Sequence, residues 1–238
     1  MSVDRPVLLI GGTRGTGLLI AKLLLGQGTP VRILARDPAR AIELFGATAD
    51  IVGGDLTRPD TLPRAVTGIG HVIFTAGCRS GHPVREPKVK ATEYDGVVHT
   101  LEALRRTGFD GRFMYMTASG VTTPNFATWC LNVYKGNTLV WRRRAEDAIR
   151  ASGIEYTIVR TGVLLNRSGG QHGIEMTQAP LALSPRHVIA RADVADAFVA
   201  ALPHPRAARA TFEIVWRGGI AREQWTKMFD RLKSDDSS

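Results

Sequence analysis

A run of glycines near the beginning of the chain has the spacing of a phosphate-binding turn. The segment reads Gly11, Gly12, Thr13, Arg14, Gly15, Thr16, Gly17 and directly follows an apolar stretch. Gly11 allows a tight turn, Gly15 lets a ligand approach the backbone, and Gly17 lets a helix pack on the preceding strand. Backbone N–H groups at the beginning of that helix can bind a diphosphate. The segment therefore predicts a dinucleotide site, with an ordinary turn as the alternative. A mononucleotide P-loop is disfavoured because Leu18, not Lys, follows the last glycine.

Basic residues after the second predicted strand indicate which dinucleotide would bind. An NAD site usually has an acidic residue there, whereas this chain has Arg36, with Arg14 in the glycine turn and Arg40 nearby. An arginine can bind a 2′-phosphate with two parallel hydrogen bonds, which favours NADP(H). Asp37 could hold a ribose instead, or it could cap a helix that begins at Pro38.

Alternating strands and helices are predicted to position these residues. Strands are predicted at 7–10, 31–34, 50–52, 71–74, 113–116, 156–159 and 211–215. Helices are predicted at 18–25, 38–45, 59–66, 94–106, 136–151, 193–202 and 222–232. This alternation predicts parallel pairing in an α/β fold, a Rossmann-like doubly wound parallel sheet, with its ligand crevice at the carboxyl ends of the strands.

Length and composition indicate one domain. The 238 residues are 44% hydrophobic and 22% charged, so they can form a real core. We expect one NAD(P)-binding Rossmann domain over residues 1–233, with a small C-terminal substrate-side lobe at 161–190 and 203–233. Residues 234–238 are expected to be a frayed tail. The two cysteines lack metal-ligand spacing, so no metal site is predicted.

The net charge of +9 raises the question of nucleic-acid binding. The arginines are scattered, many lie beside acidic residues, and no aromatic residues interleave them, so this partner is disfavoured. Only Arg142–Arg144 and the segment 79–90 are dense enough to be anion sites. No apolar run is long enough for a membrane span, and the chain does not begin like a signal peptide, so a cytoplasmic location is expected. The sequence does not decide between a monomer and a homo-oligomer.

Several further motifs complete a family resemblance. They are the glycine turn, Arg36-Asp37-Pro38, Gly54-Asp55-Leu56, Thr75-Ala76-Gly77, Ala145-Glu146, the segment 152–160, and Ala190-Arg191-Ala192-Asp193-Val194-Ala195. Together they resemble the atypical short-chain dehydrogenase/reductase family, in its NmrA-like, NAD(P)H-binding branch. The resemblance implies that Asp55 and Leu56 flank the adenine, that Thr75, Ala76 and Gly77 line the ribose, and that Thr161 and Gly162 approach the nicotinamide. Asp55 could instead cap a turn, and Gly77 could simply end a strand.

The family's catalytic Tyr and Lys are absent from this chain. Thr138 stands at the Tyr position and Arg142 at the Lys position. A threonine hydroxyl is a weak acid, whereas Arg142 could bind the nicotinamide ribose or form a surface pair with Glu146. Tyr134 would share a helix face with both if the helix reached back that far, either as a displaced acid or, more simply, as a packing residue.

A hydroxyl after the fifth strand completes the candidates. Ser119 is the first choice for orienting a substrate carbonyl and Thr117 the second, although either could serve the turn instead. Two functions remain open: an NADPH-dependent reductase of a small organic carbonyl, enone or imine, and a catalytically silent NADP(H)-binding sensor or assembly factor. Substrate specificity is expected to reside in residues 164–187.

Overall fold

A computed structural model describes residues 5–78, 84–218 and 223–237. The strands are β1 Val7–Ile10, β2 Val31–Ala35, β3 Asp50–Gly53, β4 His71–Phe74, β5 Arg112–Ala118, β6 Glu155–Thr161, β7 Val163–Leu165, β8 Gly173–Thr177, β9 Val188–Ala190 and β10 Ala210–Arg217. The α-helices are α1 Gly15–Gly26, α2 Pro38–Phe45, α3 Pro63–Val66, α4 Glu86–Lys90, α5 Gly96–Arg106, α6 Phe126–Tyr134, α7 Thr138–Arg150, α8 Arg191–Ala201 and α9 Trp225–Phe229. A π-helical turn, Ala91–Asp95, joins α4 to α5.

The main sheet has the order β3-β2-β1-β4-β5-β6-β10-β8. All neighbours in it are parallel except β8, which runs antiparallel to β10 at the edge. The order reverses between β1 and β4, which is where a doubly wound sheet opens its ligand crevice. The predicted fold class is therefore confirmed.

Apolar residues alternate between two cores, one on each face of the sheet. In β1, Val7 and Leu9 face one core, and Leu8 and Ile10 face the other. The first core contains α1 and α8, and the second contains α5 and α7. Burial on both faces explains why β1 is a continuous apolar run.

The region after β6 differs from the regular alternation. β7 and β9 pair with each other in parallel and form a separate two-stranded sheet. The sequence indicated neither this sheet nor β8, because β7 and β9 are only three residues long and β8 mixes polar with apolar residues.

Several predicted elements need correction. The helix expected over 59–66 is a 3₁₀-helical turn, Pro59–Thr61, followed by α3, and the helix expected over 222–232 is observed only as α9. The helix expected over 136–151 begins at Thr138, because Asn137 takes a left-handed conformation, and a separate helix, α6, precedes it. The helix expected from Tyr94 is preceded by the π-helical turn. The expected frayed end is wrong for Asp235, which accepts hydrogen bonds from the Tyr156 hydroxyl at 3.0 Å and the Thr211 amide at 3.0 Å. These contacts hold the C-terminal segment against β6 and β10.

Part of the predicted basic segment 79–90 lies outside the described residues, as does the first residue of the helix expected over 222–232. In the described part of the chain, no helix combines the length and the apolar content that crossing a membrane would need.

Candidate functional site

The glycine turn lies between the end of β1 and the beginning of α1. Gly11 has a φ of +94°, and a Cβ there would lie 2.7 Å from the amide nitrogen of Ala76, so only glycine fits. A Cβ on Gly17 would lie 2.3 Å from the Gly11 carbonyl oxygen. The first turn of α1 is thus seated directly on the end of β1. In the described structure no side chain caps this helix, and its first turn holds no acidic residue. Its leading N–H groups have no intrahelical acceptor, so the turn fits a diphosphate.

The end of β4 forms the next part of the crevice. The Thr75 amide donates to the Ile10 carbonyl at 2.8 Å, which places Thr75, Ala76 and Gly77 beside the glycine turn. The Arg14 guanidinium reaches the Gly77 carbonyl at 3.5 Å. Arg14 therefore extends toward β4, and it is not among the residues that line the pocket around Arg36.

That pocket lies at the carboxyl ends of β2 and β3 and has a volume of about 300 Å³. Its lining consists of Arg36, Gly53, Gly54, Asp55, Arg58 and Thr61. Two arginines in one small pocket can bind a doubly charged phosphate. The sequence identified Arg36 but missed Arg58, which comes close only because β3 and the following turn fold back beside β2.

The two acidic residues of this region are engaged in local hydrogen bonds. Asp37 accepts a hydrogen bond from the Arg40 amide at 3.1 Å and caps α2, with Pro38 as the first helical residue. Asp55 accepts from the Thr57 amide and hydroxyl, both at 2.9 Å. Leu56, beside Asp55, is buried. Of the two interpretations of Asp37, the structure shows the cap.

A buried polar cluster lies on the other side of the crevice and includes Thr138 and Arg142. The Arg142 Nε lies 3.0 Å from Glu93 Oε2, and the Thr138 hydroxyl donates to the same oxygen at 2.5 Å. Arg142 also donates to the Met116 carbonyl at 3.2 Å, at the end of β5. A Cβ on Gly77 would lie 2.9 Å from Arg142 Nη2. The guanidinium is therefore next to the predicted ribose-lining segment.

Of the two alternatives for Arg142, the surface pair with Glu146 is wrong, because Arg142 turns toward Glu93. Burial disfavours the charged guanidinium, but the charge of Glu93 and its hydrogen bond outweigh that cost and raise the pKa of Arg142 above its ordinary value. The Cys78 amide, just after β4, donates to Glu93 Oε1 at 2.9 Å. Sequence analysis missed Glu93, which lies in the π-helical turn, a conformation frequent at functional sites.

Ser119 and Thr117 are buried in a different place. Ser119 is fully buried, and its amide donates to the Thr161 carbonyl at 2.9 Å. The segment around Leu181 covers it, since the Gly120 amide donates to the Leu181 carbonyl at 3.0 Å. Thr117 is also buried. Neither hydroxyl is open to a substrate in this conformation.

Thr161 and Gly162 lie at the end of β6. The Thr161 hydroxyl donates to the Thr117 carbonyl at 3.2 Å. A Cβ on Gly162 would lie 2.3 Å from the His187 carbonyl oxygen, so the close approach of that loop requires glycine.

Tyr134 is not aligned with Thr138 and Arg142, because α6 ends at Tyr134 and α7 begins at Thr138 after a break. Its side chain is 51% exposed, so it is not a core residue either. The other two members of the triple arginine also have protein partners: Arg143 pairs with Asp147, and Arg144 stacks over Trp141.

The fold, the glycine turn and the arginine-lined pocket define a dinucleotide-binding Rossmann protein. The chain belongs to the NAD(P)H-binding family, whose model matches residues 11–205. This match confirms the resemblance to atypical short-chain dehydrogenases/reductases and, at the level of NAD(P)H, the predicted cofactor.

Sanguinarine reductase of Eschscholzia californica is 30% identical to the chain over an alignment 231 residues long, which covers 82% of this chain and 83% of that protein. A photosystem II assembly factor of Trieres chinensis is 29% identical over 154 residues, or 65% of this chain and 44% of that protein. A putative NAD-dependent epimerase/dehydratase from Bacillus halodurans has the same fold, with a TM-score of 0.80, 23% identity, and coverage of 96% of this chain and 100% of that chain. Several relatives are chloroplast proteins, so the cytoplasmic location stays a prediction.

Proposed function

We propose that this protein is an NADPH-dependent oxidoreductase that reduces a small organic carbonyl, enone or imine. The observation that carries the proposal is the buried cluster of Glu93, Thr138 and Arg142 beside Gly77. It fixes the Arg142 guanidinium at the carboxyl ends of β4 and β5, where the crevice of a doubly wound sheet lies. A bound NADPH would supply the hydride equivalent.

Three parts of the crevice fit the parts of this cofactor. The N–H groups at the beginning of α1 would bind the diphosphate, and Thr75, Ala76 and Gly77 would line a ribose. Arg36 and Arg58 would bind the 2′-phosphate in their shared pocket. Asp55 and Leu56 would flank the adenine, and Thr161 and Gly162 would lie toward the nicotinamide. The cap formed by Asp37 supports NADPH over NADH, because this carboxylate is engaged with the α2 backbone.

Arg142 would orient the nicotinamide ribose and stabilise negative charge that develops on the substrate oxygen. Glu93 would act as a positioning residue, because it holds the guanidinium through Nε and leaves other N–H groups to donate. The Thr138 hydroxyl donates a hydrogen bond to Glu93 and so would help to position the Glu93 carboxylate. The proton that completes a carbonyl reduction would come from water in the crevice.

Turnover by an arginine variant and a matched neighbour tests this proposal. The purified protein is incubated with NADPH and a panel of carbonyls, enones and imines while the nicotinamide absorbance is followed. Removing a preorganised charge at the reacting centre costs about 100-fold in kcat, so Arg142→Met is expected to lose that factor. Arg143→Met, next in sequence but exposed and paired with Asp147, should retain activity. Equal activity of both variants would contradict the proposed role of Arg142.

A binding comparison tests the cofactor assignment. Arg36→Ala and Arg58→Ala are each expected to weaken NADPH by about 10-fold or more, since a hydrogen bond to a charged group contributes about 1.5–3 kcal/mol. NADH, which lacks the 2′-phosphate, should be affected little. Equal losses of affinity for NADPH and NADH would contradict the assignment of the 2′-phosphate to this pocket.

A second candidate is a catalytically silent NADP(H)-binding sensor or assembly factor. The exposed apolar residues of α6 favour it, because Phe126, Trp129 and Val133 are each more than 60% exposed and the two aromatic rings stack. Such a patch is typical of interaction surfaces. A photosystem II assembly factor is also among the relatives. Tight NADPH binding without turnover on any substrate would favour this candidate over the reductase.

A further inference from the structure

A basic residue from outside the glycine turn reaches that turn. Arg191 is the first residue of α8 and directly follows β9. Its Nη1 lies 3.5 Å from the Thr16 hydroxyl, and a Cβ on Gly15 would lie 3.7 Å from the same nitrogen. The guanidinium thus borders the open space above Gly15, where a diphosphate on this turn would lie.

We propose that Arg191 is a further binding residue for the cofactor's diphosphate, donating to it from the side opposite the backbone of the glycine turn. The inference rests on the proposed binding of NADPH and extends it to a residue of the C-terminal region. A guanidinium can donate two parallel hydrogen bonds to a phosphate and stays charged at any physiological pH. The first turn of α1 carries no acidic residue that would compete for it.

The small sheet of β7 and β9 positions this side chain. Leu165 and Ala190 are register partners at the ends of these parallel strands, so Asn166 and Arg191 follow side by side. Asn166 Oδ1 accepts a hydrogen bond from Arg191 Nε at 2.9 Å. This bond fixes the guanidinium plane, and fixing a long side chain before binding lowers the entropic cost of the complex. The two-stranded sheet thereby acquires a role in holding the cofactor.

The packing of α8 against α1 keeps the arginine in place. Ile20 and Leu24 of α1 lie in the same buried core as Val194 and Phe198 of α8. Arg191 therefore does not depend on a mobile loop to reach the turn. A purely structural arginine, tying α8 to α1, would have similar contacts, so the test must separate the two roles.

Two ligands with the same adenosine 2′-phosphate group separate a binding role of Arg191 from a purely structural one. NADPH contains the diphosphate, whereas adenosine 2′-monophosphate contains only the adenosine and the 2′-phosphate. We expect Arg191→Gln to weaken NADPH by about 10- to 100-fold, from the loss of hydrogen bonds to a charged group. Binding of adenosine 2′-monophosphate should stay within about twofold, because it does not reach the glycine turn. Arg36→Ala should weaken both ligands.

Further variants control for folding and charge. Arg191→Lys keeps the charge and is expected to recover part of the NADPH affinity, and Asn166→Ala should lose a smaller factor than Arg191→Gln because the charge is retained but no longer fixed. Arg167→Gln, an exposed neighbour, should bind NADPH like the unaltered protein. Ligand-free melting temperatures identify any variant that is merely unfolded.

The possible outcomes distinguish a failure of the role proposed for Arg191 from a failure of the proposed cofactor site. Unchanged NADPH affinity in Arg191→Gln, or equal losses for both ligands, would overturn the role of Arg191 and leave NADPH binding itself intact. If the unaltered protein binds neither NADPH nor adenosine 2′-monophosphate, the proposed cofactor site fails, and this inference fails with it.

Discussion

Polar residues recur at intervals of four in both halves of α7, but the two halves contact different parts of the molecule. Thr138, Arg142, Glu146 and Arg150 follow one another at intervals of four and so share one face of the helix. The first two residues face Glu93 at the crevice. Glu146 instead faces Arg160 of β6, and Arg150 reaches Asp235 of the C-terminal segment. We call the first group the crevice cluster (Glu93, Thr138, Arg142) and the second the tail cluster (Glu146, Arg150, Arg160, Glu213, Asp235). Identical spacing thus serves a candidate site at one end and stability at the other.

The tail cluster is a network of ion pairs centred on Glu146. Glu146 is fully buried and accepts hydrogen bonds from Arg160 Nη2 at 2.7 Å and from Arg150 Nη2 at 3.1 Å. Arg160 also lies 3.7 Å from Glu213, and Arg150 lies 3.6 Å from Asp235. Glu213 and Asp235, the carboxylates in these two contacts, lie in β10 and in the C-terminal segment. The network therefore joins α7 and β6 to β10 and the C-terminal segment.

The largest expected effect is on stability in the tail cluster. Glu146→Gln removes the charge that balances Arg160 and Arg150, and breaking a buried ion pair costs about 3–5 kcal/mol. Denaturant unfolding should show this loss, while the NADPH affinity of the folded variant stays within about twofold because Glu146 is fully buried and is not among the residues proposed to bind the cofactor. The matched control is Glu102→Gln on α5, whose side chain is exposed, with an expected change within about 0.5 kcal/mol. A large loss of NADPH affinity in Glu146→Gln would contradict the conclusion that the tail cluster serves stability and the crevice cluster serves binding.

The next effect separates stability from binding in the crevice cluster. Arg142→Met leaves the buried Glu93 charge unpaired and should destabilise the protein by about 3 kcal/mol, as well as weakening NADPH by about 10-fold or more. The double variant Arg142→Met with Glu93→Gln contains no unpaired charge and should regain most of the stability. Its NADPH affinity should remain low, because the guanidinium is still missing.

The double variant gives this comparison its sharpest outcome. Recovery of both stability and NADPH affinity would mean that Arg142 acts only by neutralising Glu93. Recovery of neither would mean that the crevice cluster is structural in the same way as the tail cluster. Unfolding curves and NADPH titrations of the same preparations distinguish these results.

The sequence predicted the frame of the site better than its polar contacts. Pro38–Phe45 and His71–Phe74 were predicted residue for residue, because a capping Asp, a leading Pro or a buried apolar run marks each locally. The position of Arg142 also followed from the sequence, through the family resemblance. Its partner did not, since Glu146 is four residues away in the same helix and Glu93 is nearly fifty residues away. Only the packing of the π-helical turn against α7 decides between them.

Arg58 was not among the predicted binding residues, and Arg191 was named only as part of a family motif, for the same reason. Neither belongs to the glycine turn or follows the second strand, where local rules place phosphate ligands. Arg58 reaches the crevice through the return of the chain after β3, and Arg191 through the pairing of β7 with β9. Long-range contacts of this kind leave no periodic signal in the sequence.

A smaller effect concerns the pH dependence of stability in the tail cluster. Burial raises the pKa of Glu213 above its ordinary value of 4.5, although Ser119, the Leu181 amide and Arg160 oppose the shift, and Glu146 adds to it. A raised carboxyl pKa means that the folded state holds this proton more tightly than the unfolded state. Its contribution to stability is present below pH 4.5 and is lost as the pH rises through the raised pKa.

Comparison with Glu213→Gln isolates this contribution. The variant keeps an acceptor for the Leu181 amide but cannot ionise. The difference in unfolding free energy, unaltered protein minus variant, should fall as the pH rises from 4.5 and then level off. Denaturant unfolding across this range measures it. A difference that is constant with pH would mean that another group titrates. At each pH the variant should bind NADPH as the unaltered protein does.

The smallest expected effect is that of a substitution at Tyr134, which lies outside the crevice cluster. Tyr134 lies just before α7, but the break at residues 135–137 separates it from Thr138, and half of its side chain is exposed. Tyr134→Phe removes only a hydroxyl on the surface, so unfolding free energy should change by less than about 0.5 kcal/mol and NADPH affinity should not change. Turnover should also be retained if Arg142 and water suffice for the chemistry. Loss of turnover with unchanged NADPH binding would instead make Tyr134 the proton donor, and α6 would then have to close over the crevice to bring its hydroxyl to the substrate.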